Sequence, residues 1–196
     1  LAVSKKRDVF IINSSGELSK IDGNNGEVYW SLNTLGSILM DATDFFKSSQ
    51  IVIDNDNIIF STRSSFFSFN LDDGVVNWEQ TLSSVGTPII DGENIFFVTE
   101  NGYFVIMNKN TGKVISANNI LKILKKKKQT TKITGFIMGS GKIYSVTLNG
   151  YLIVSSAISG KVESFKKIGD PIVSAPIINN GKLYILTQNS RIFGLK

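Results

Sequence analysis

The chain has 196 residues, 42% of them hydrophobic, and a formal net charge of +5. This length suits one domain or part of one, and the hydrophobic content is sufficient for a packed core. Cysteine and histidine are both absent, which excludes disulfides, Cys/His zinc sites, cysteine nucleophiles and acid–base schemes that use histidine. No stretch reaches the ~18–20 consecutive apolar residues of a membrane helix.

One sequence pattern occurs four times along the chain and begins a fifth time. Each copy is a strand-like run followed by a short polar turn, a glycine and, two residues later, a valine. The copies cover residues 15–28, 63–76, 101–114 and 149–162, and the fifth starts at Asn189. The turn glycines are Gly26, Gly74, Gly112 and Gly160. Self-similarity with periods of 38 and 48 residues indicates one supersecondary unit stacked on its neighbours.

The third copy shows the predicted elements of one unit most clearly. Short strands are predicted at residues 88–90, 95–98 and 103–107, and a fourth begins at residue 113. Asn101-Gly102 is a strong hairpin signal between the second and third strands. Apolar runs without alternation indicate strands that are buried on both faces. Sheets of this kind must pack against similar sheets, which predicts a β-propeller of four-stranded antiparallel blades.

About five blades are predicted in chain order, within a single propeller domain or a C-terminal fragment of one. They cover approximately residues 1–32, 51–82, 87–118, 134–166 and 172–196. The last blade lacks a fourth strand, and residues 1–3 are predicted to belong to a strand rather than to a signal peptide. A helical pattern of apolar residues occurs at residues 119–125, between the third and fourth blades.

The turn sequence resembles the PQQ-like propeller repeat, in which T/S-G-x-V is followed by tryptophan. The first two copies carry Trp30 and Trp78 at that position, whereas the third and fourth copies carry Ser116 and Ser164. The resemblance implies a structural role for these residues. Each glycine provides a positive φ, and each tryptophan packs between blades. The repeat residues concerned are Gly26, Trp30, Gly74, Trp78, Gly112 and Gly160.

Within this family the chain is most similar to the BamB group, the propeller lipoproteins of the outer-membrane β-barrel assembly machinery. The similarity rests on short blades, a leucine-rich segment at residues 120–124, and an end after the third strand of the last blade. BamB-like propellers have eight blades, and their N-terminal part supplies the last strand. The chain is therefore interpreted as the C-terminal part of such a ring. A small closed ring and pairing of two copies through open edges remain alternatives, and open edges predict self-association.

The long connection before the second blade contains the candidate partner-binding residues. BamB-like proteins carry an acidic stretch in a comparable loop, which is implicated in binding the barrel protein BamA. Asp41, Asp44, Phe45 and Phe46 are the residues of this chain that correspond, although Asp44 is one position out of register. Acidic groups beside aromatic anchors are typical of a protein interface. An ordinary loop with both phenylalanines turned inward is the alternative.

A lysine run at Lys122–Lys132 has two interpretations. It is either a patch for phosphate, nucleic acid or anionic lipid or a solvated loop. No aromatic residue lies among the lysines, so base stacking has no platform. The solvated loop is favoured, and no nucleic-acid partner is predicted.

The function that the resemblance implies is that of a non-enzymatic scaffold in a Gram-negative periplasm, with no catalytic residues, cofactor or metal. It would support assembly of outer-membrane β-barrel proteins by binding a BamA-like factor. Contact with the membrane would be through a lipid anchor in the N-terminal region of the full-length protein. The alternatives are a ligand-binding or sensor propeller and, less favoured, a degenerate quinoprotein dehydrogenase.

Overall fold

The structure is a computed structural model and describes residues 1–34, 47–124 and 131–196. Over these residues the chain folds into five antiparallel sheets. In each sheet the strands pair in chain order, so every sheet is a simple meander. We number these sheets blades 1 to 5. The all-β fold and the meander blades predicted from the sequence are confirmed.

The blades contain nineteen strands within the described ranges. Blade 1 comprises β1 (Ala2–Val3), β2 (Val9–Ile12), β3 (Glu17–Ile21) and β4 (Val28–Asn33). Blade 2 comprises β5 (Val52–Asp54), β6 (Asn57–Ser61), β7 (Phe66–Asn70) and β8 (Val76–Gln80). Blade 3 comprises β9 (Ile89–Asp91), β10 (Asn94–Val98), β11 (Tyr103–Asn108) and β12 (Val114–Asn119). Blade 4 comprises β13 (Ile133–Gly139), β14 (Lys142–Thr147), β15 (Tyr151–Ser156) and β16 (Val162–Lys167). Blade 5 comprises β17 (Ile177–Asn179), β18 (Lys182–Leu186) and β19 (Ile192–Leu195).

The structure divides into two compact units. Unit 1 contains residues Leu1–Ser83 and Asn110–Gly112, and unit 2 contains Ser84–Lys109 and Lys113–Lys196. In unit 1, blades 1 and 2 pack face to face, with Phe10 and Leu18 in one cluster with Phe60. In unit 2, blades 4 and 5 pack in the same way. The buried members of that cluster are Val146, Leu152, Ile172, Leu183 and Ile185.

Burial on both faces explains why the strands lack alternation. All four residues from Phe66 to Phe69 are buried, although successive side chains point to opposite faces of the sheet. A strand that is covered on one side only would need a polar residue at every second position.

In blades 3 and 4, a threonine side chain closes the hairpin between the second and third strands. Thr99 Oγ1 accepts the backbone N–H of Tyr103 at 3.0 Å, and Thr147 Oγ1 accepts that of Tyr151 at 2.9 Å. A side-chain acceptor at this position satisfies a backbone donor inside the turn. Blades 3 and 4 therefore close this hairpin with the same residue type at the same position.

The helical pattern at residues 119–125 corresponds to a short 3₁₀ segment at residues 120–124. Ile120, Leu121 and Leu124 are buried there. The Ile120 N–H donates to the carbonyl oxygen of Gly102 at 2.8 Å, so the segment covers the hairpin of blade 3.

Asp22 organises the turn between β3 and β4. Its carboxylate accepts the backbone N–H of Asn24 at 2.7 Å and the hydroxyl of Tyr29 at 2.8 Å. These hydrogen bonds lower the pKa of Asp22 below its ordinary 3.8, and the bond from the Asn24 backbone has the largest effect. The bond to the Asp22 carboxylate also raises the pKa of Tyr29.

Because the pKa of Asp22 is lowered in the folded state, we expect this residue to stabilise the protein less as the pH becomes acidic. The stabilisation from its ionised form is complete above the unfolded-state pKa and is lost as pH falls through the lower folded-state pKa. Urea unfolding of the wild type and Asp22→Asn should therefore show a stability difference at about pH 5 that shrinks toward about pH 2. A difference that is independent of pH would contradict this account.

Candidate partner-binding site

A repeated contact joins successive blades within unit 1. Trp30 on β4 lies beside the turn that follows β7, where its indole N–H donates to the carbonyl oxygen of Asp72 at 2.9 Å. A Cβ atom at Gly74 would lie 3.1 Å from the indole ring of Trp30. The turn glycine of blade 2 therefore allows the fourth strand of blade 1 to approach closely, and its φ of 74° also favours glycine.

The same contact occurs at Trp78. A Cβ atom at Gly112 would lie 2.7 Å from the Trp78 ring, which is closer than carbon atoms can approach. Gly26 differs, because a Cβ there would meet no atom within 4 Å. Its positive φ of 79° is the reason for glycine at that position.

Small polar residues replace tryptophan at the equivalent position in unit 2. A Cβ atom at Gly160, in blade 4, would lie 3.1 Å from Ser116 Oγ and 2.6 Å from Asn118 Nδ2. The third-to-fourth-strand turn of blade 4 thus packs on β12 of blade 3.

Blade 5 departs from this pattern, because a cavity lies beside β16. Its volume is about 500 Å³, and it lies entirely within unit 2. Ser164 and Lys166 of β16 line it at the positions that Trp30 and Leu32 occupy in blade 1. The apolar side chains of the lining are Leu152, Val154, Phe165, Ile178, Leu183 and Leu195.

Strand β19 forms an edge of blade 5 in the described part of the chain. The Thr187 N–H donates to the carbonyl oxygen of Arg191, and the register continues as Ile185–Phe193 and Leu183–Leu195. Hydrogen-bonded and non-hydrogen-bonded pairs alternate along an antiparallel ladder. The backbone groups of Ile192 and Gly194 therefore point away from β18, toward the edge.

The outward face of blade 5 is apolar and exposed. Ile177, Leu186 and Ile192 have 64%, 45% and 71% of their surface accessible. Residues 192 and 194 share this face, whereas Phe193 and Leu195 pack toward blade 4.

The cavity is surrounded by positive charge. Its charged lining residues are Lys166, Lys182 and Lys196. Residues 131–196 contain eight Lys or Arg residues but only Glu163 and Asp170 as acids. Glu163 lies 2.8 Å from Lys142, and Asp170 lies 3.5 Å from Arg191. The hydrogen bond to Glu163 also raises the pKa of Lys142, so both acids already have cationic partners.

The described residues contain no group of three or more Asp, Glu, His or Cys side chains placed to hold a metal ion. Across the same ranges, no helix has the length and hydropathy needed to cross a membrane.

Comparison with known proteins identifies the family. The family described as outer membrane protein assembly factor BamB matches residues 1–118. The chain belongs to the BamB family. No curated protein matches the sequence.

Solved structures support the same fold. BamB from Moraxella catarrhalis is similar with a TM-score of 0.74 and 14% identity, covering 98% of this chain and 58% of that one. The β-propeller domain of Cps50 (Swd1) from Myceliophteria thermophila has a TM-score of 0.73 at 11% identity, with coverages of 98% and 62%. The computationally designed protein Ika8 has a TM-score of 0.71 at 9% identity, with coverages of 98% and 56%. The fold is a β-propeller, and the chain spans about three fifths of the length of these proteins.

The acidic loop predicted from the BamB resemblance lies outside the described residues. Asp41, Asp44, Phe45 and Phe46 all belong to it, so their roles stay predictions. Of the lysine run, Lys125–Lys128 also lie outside the described ranges, whereas Lys132 forms an ion pair with Glu100 at 2.5 Å.

Sequence reasoning missed the basic cavity beside β19. A usable signal was the distribution of charge along the chain. Residues 1–121 contain 8 Lys or Arg and 14 Asp or Glu, whereas residues 122–196 contain 13 and 2. Sign asymmetry of this kind indicates a surface for an oppositely charged partner.

Proposed function

We propose that the protein is a non-enzymatic scaffold that supports assembly of β-barrel proteins into the outer membrane of a Gram-negative bacterium. It acts in the periplasm, in association with the outer membrane. The observation that carries the proposal is the match of residues 1–118 to the BamB family.

The geometry supports a role in protein binding. Within each compact unit, packed sheets hold the loops between strands in fixed positions, which lowers the entropic cost of binding a partner. The partner that we propose is a BamA-like barrel assembly factor, bound through the loop that contains Asp41 and Phe46.

Affinity purification from the source envelope tests this function. The tagged full-length protein, solubilised in mild detergent, is expected to retain a BamA-like barrel protein. Asp41→Arg should reduce that retention about tenfold, because reversing a charge at the edge of an interface costs about 1.4 kcal/mol. Asp56→Arg is the matched control, since Asp56 is exposed in the turn between β5 and β6, and it should retain the partner at the wild-type level. Failure of the wild type to retain any barrel assembly factor would overturn the proposal.

A further inference from the structure

We infer that the turn between β15 and β16, residues 156–160, inserts Ile158 into the headgroup region of a membrane that carries anionic phospholipids. We call this segment the blade 4 turn. The inference rests on the proposed function in one respect, namely that the protein acts beside a membrane. It goes further by assigning a direct membrane contact to named residues of blade 4.

Ile158 is an apolar side chain that the fold holds in solvent. It is 92% exposed, the largest exposed fraction of any large hydrophobic residue that the structure describes. The backbone N–H groups of Ile158 and Ser159 both donate to Ser156 Oγ at 3.2 Å. These bonds and the positive φ of Gly160, 69°, fix a tight turn. The apolar side chain therefore projects from an ordered backbone.

The other blades show that the turn itself does not require an apolar residue. The equivalent positions, two residues before the turn glycine, hold Asn24, Asp72 and Asn110, and all three are exposed. The turn of blade 1 is built in the same way, because the Asn24 N–H donates to the Asp22 carboxylate at 2.7 Å. Polar residues are favoured at such positions. The local fold gives no reason for isoleucine, whereas contact with an apolar phase does.

The exposure of Ile158 follows from its place at the tip of the turn. Asn24, Asp72 and Asn110 are exposed although the next blade along the chain has four strands in each case. The packed side of the blade 4 turn is Gly160, where a Cβ atom would lie 2.6 Å from Asn118 Nδ2. A fourth strand in blade 5 is therefore not what decides whether this position is open.

Lysines lie on both sides of the blade 4 turn. Lys142 is opposite Ser156 in the ladder of β14 and β15, and the carbonyl oxygen of Lys161 accepts the Ser156 N–H at 2.9 Å. Glu163, the acid of β16, is already paired with Lys142 at 2.8 Å. Lys161 is exposed, so its charge is available to an anionic surface.

The wider charge of blades 4 and 5 favours a lipid surface over a protein. Residues 131–196 contain eight cationic side chains against two acidic ones, and seven of the eight are lysines. Lysine near a membrane gains from the negative potential of anionic headgroups, whereas lysine is depleted at protein interfaces. At the corresponding end of blade 3, Asp91 and Glu93 lie around the turn between β9 and β10, and Glu93 is 4.0 Å from the Lys109 ammonium group. The blade 4 turn instead lies between third and fourth strands.

The contact is expected to be weak and reversible. One inserted aliphatic side chain with few lysines does not give stable attachment, which needs a second signal such as a lipid chain. The blade 4 turn would therefore orient a protein that is already at the membrane.

Sedimentation with lipid vesicles tests the contact. The purified intact chain is mixed with sucrose-loaded vesicles of phosphatidylcholine alone, or with about one third phosphatidylglycerol, at about millimolar lipid. Binding to the anionic vesicles should be at least about tenfold stronger than to the neutral ones. It should weaken as salt is added, because salt screens the exposed lysines.

Variants locate the binding. Ile158→Asn introduces the residue that blades 1 and 3 have at this position, and it should weaken binding about tenfold because the apolar contact is lost. Lys161→Glu introduces the residue that blade 1 has there, Glu27, and should weaken binding at least about tenfold. Lys5→Glu is the control. It reverses an exposed lysine of blade 1 and should leave binding unchanged.

The absence of cysteine from the chain allows a probe to be placed at a single position. A polarity-sensitive dye on Ile158→Cys should brighten when anionic vesicles are added, because the side chain leaves water. The same dye on Asn24→Cys, at the equivalent tip of blade 1, should not change.

Three results would overturn the inference. They are equal binding to the two kinds of vesicle, a dye response at position 158 no larger than at position 24, and insensitivity to both Ile158→Asn and Lys161→Glu. If vesicles did not bind and Ile158→Asn instead reduced retention of an envelope protein, the blade 4 turn would be a protein contact and the inference would be wrong.

The two proposals fail separately. Vesicle binding without retention of a barrel assembly factor would reject the assembly role alone. Retention without vesicle binding would reject the membrane contact alone.

Discussion

Replacing Trp78 with alanine is expected to lower the free energy of unfolding by about 3–5 kcal/mol. Trp78 is 7% exposed. Its ring stacks on Phe66 with centroids 6.0 Å apart and covers Gly112 in the same unit. Alanine would leave a cavity at this contact, because the backbone of β8 is held by its ladder with β7 and cannot move in to fill the space.

Urea or thermal unfolding of the purified variant measures this loss. Val76→Ala is the matched control, since Val76 is half exposed on the same strand and should change stability by no more than about 0.5 kcal/mol. A Trp78→Ala variant as stable as the Val76→Ala variant would show that the tryptophan does not hold the blades together.

The fold was predictable because its signals are local and repeated. Asn101-Gly102 and Asn149-Gly150 both form hairpins in which the glycine has a positive φ. The segment from Phe66 to Phe69, which contains three phenylalanines, is buried on both faces. Each signal acts within one blade, and four repetitions of it leave little ambiguity about fold class.

The features that define the candidate site are not local. Lys166 and Lys182 are 16 residues apart in sequence and lie on two different blades, so no strand pattern places them at one cavity. The predicted loop with Asp41 and Phe46 depended on family resemblance alone. A resemblance to relatives can indicate a loop that the relatives also have. It cannot indicate a surface formed by charged residues that are particular to this chain.

The burial of Lys20 is another feature that the sequence does not indicate. Its ion pair is also the basis of the second large stability effect that we expect. Its place on β3 gives no sign of burial, yet its side chain is only 9% exposed between blades 1 and 2. The ammonium group lies 3.4 Å from the Asp8 carboxylate, which is itself 11% exposed, and 3.6 Å from that of Asp72. It also lies 5.9 Å from the centre of the Phe10 ring. The charge is thus stabilised by partners from both blades of unit 1.

Asp8→Ala is expected to destabilise the protein by about 3 kcal/mol, because it leaves the buried ammonium group of Lys20 without its nearest carboxylate. Removal of both charges in Asp8→Ala/Lys20→Met should recover most of that loss, since methionine fills a similar volume without a desolvation cost.

Lys6→Met is the control. Lys6 pairs with Asp72 at 3.5 Å, but its side chain is 72% exposed, so the change should be within about 1 kcal/mol. Chemical unfolding of the wild type and these three variants measures the differences. If the double variant were no more stable than Asp8→Ala, the loss would come from packing at Asp8 and not from an unpaired charge. The interface between blades 1 and 2 would then depend on its apolar cluster alone.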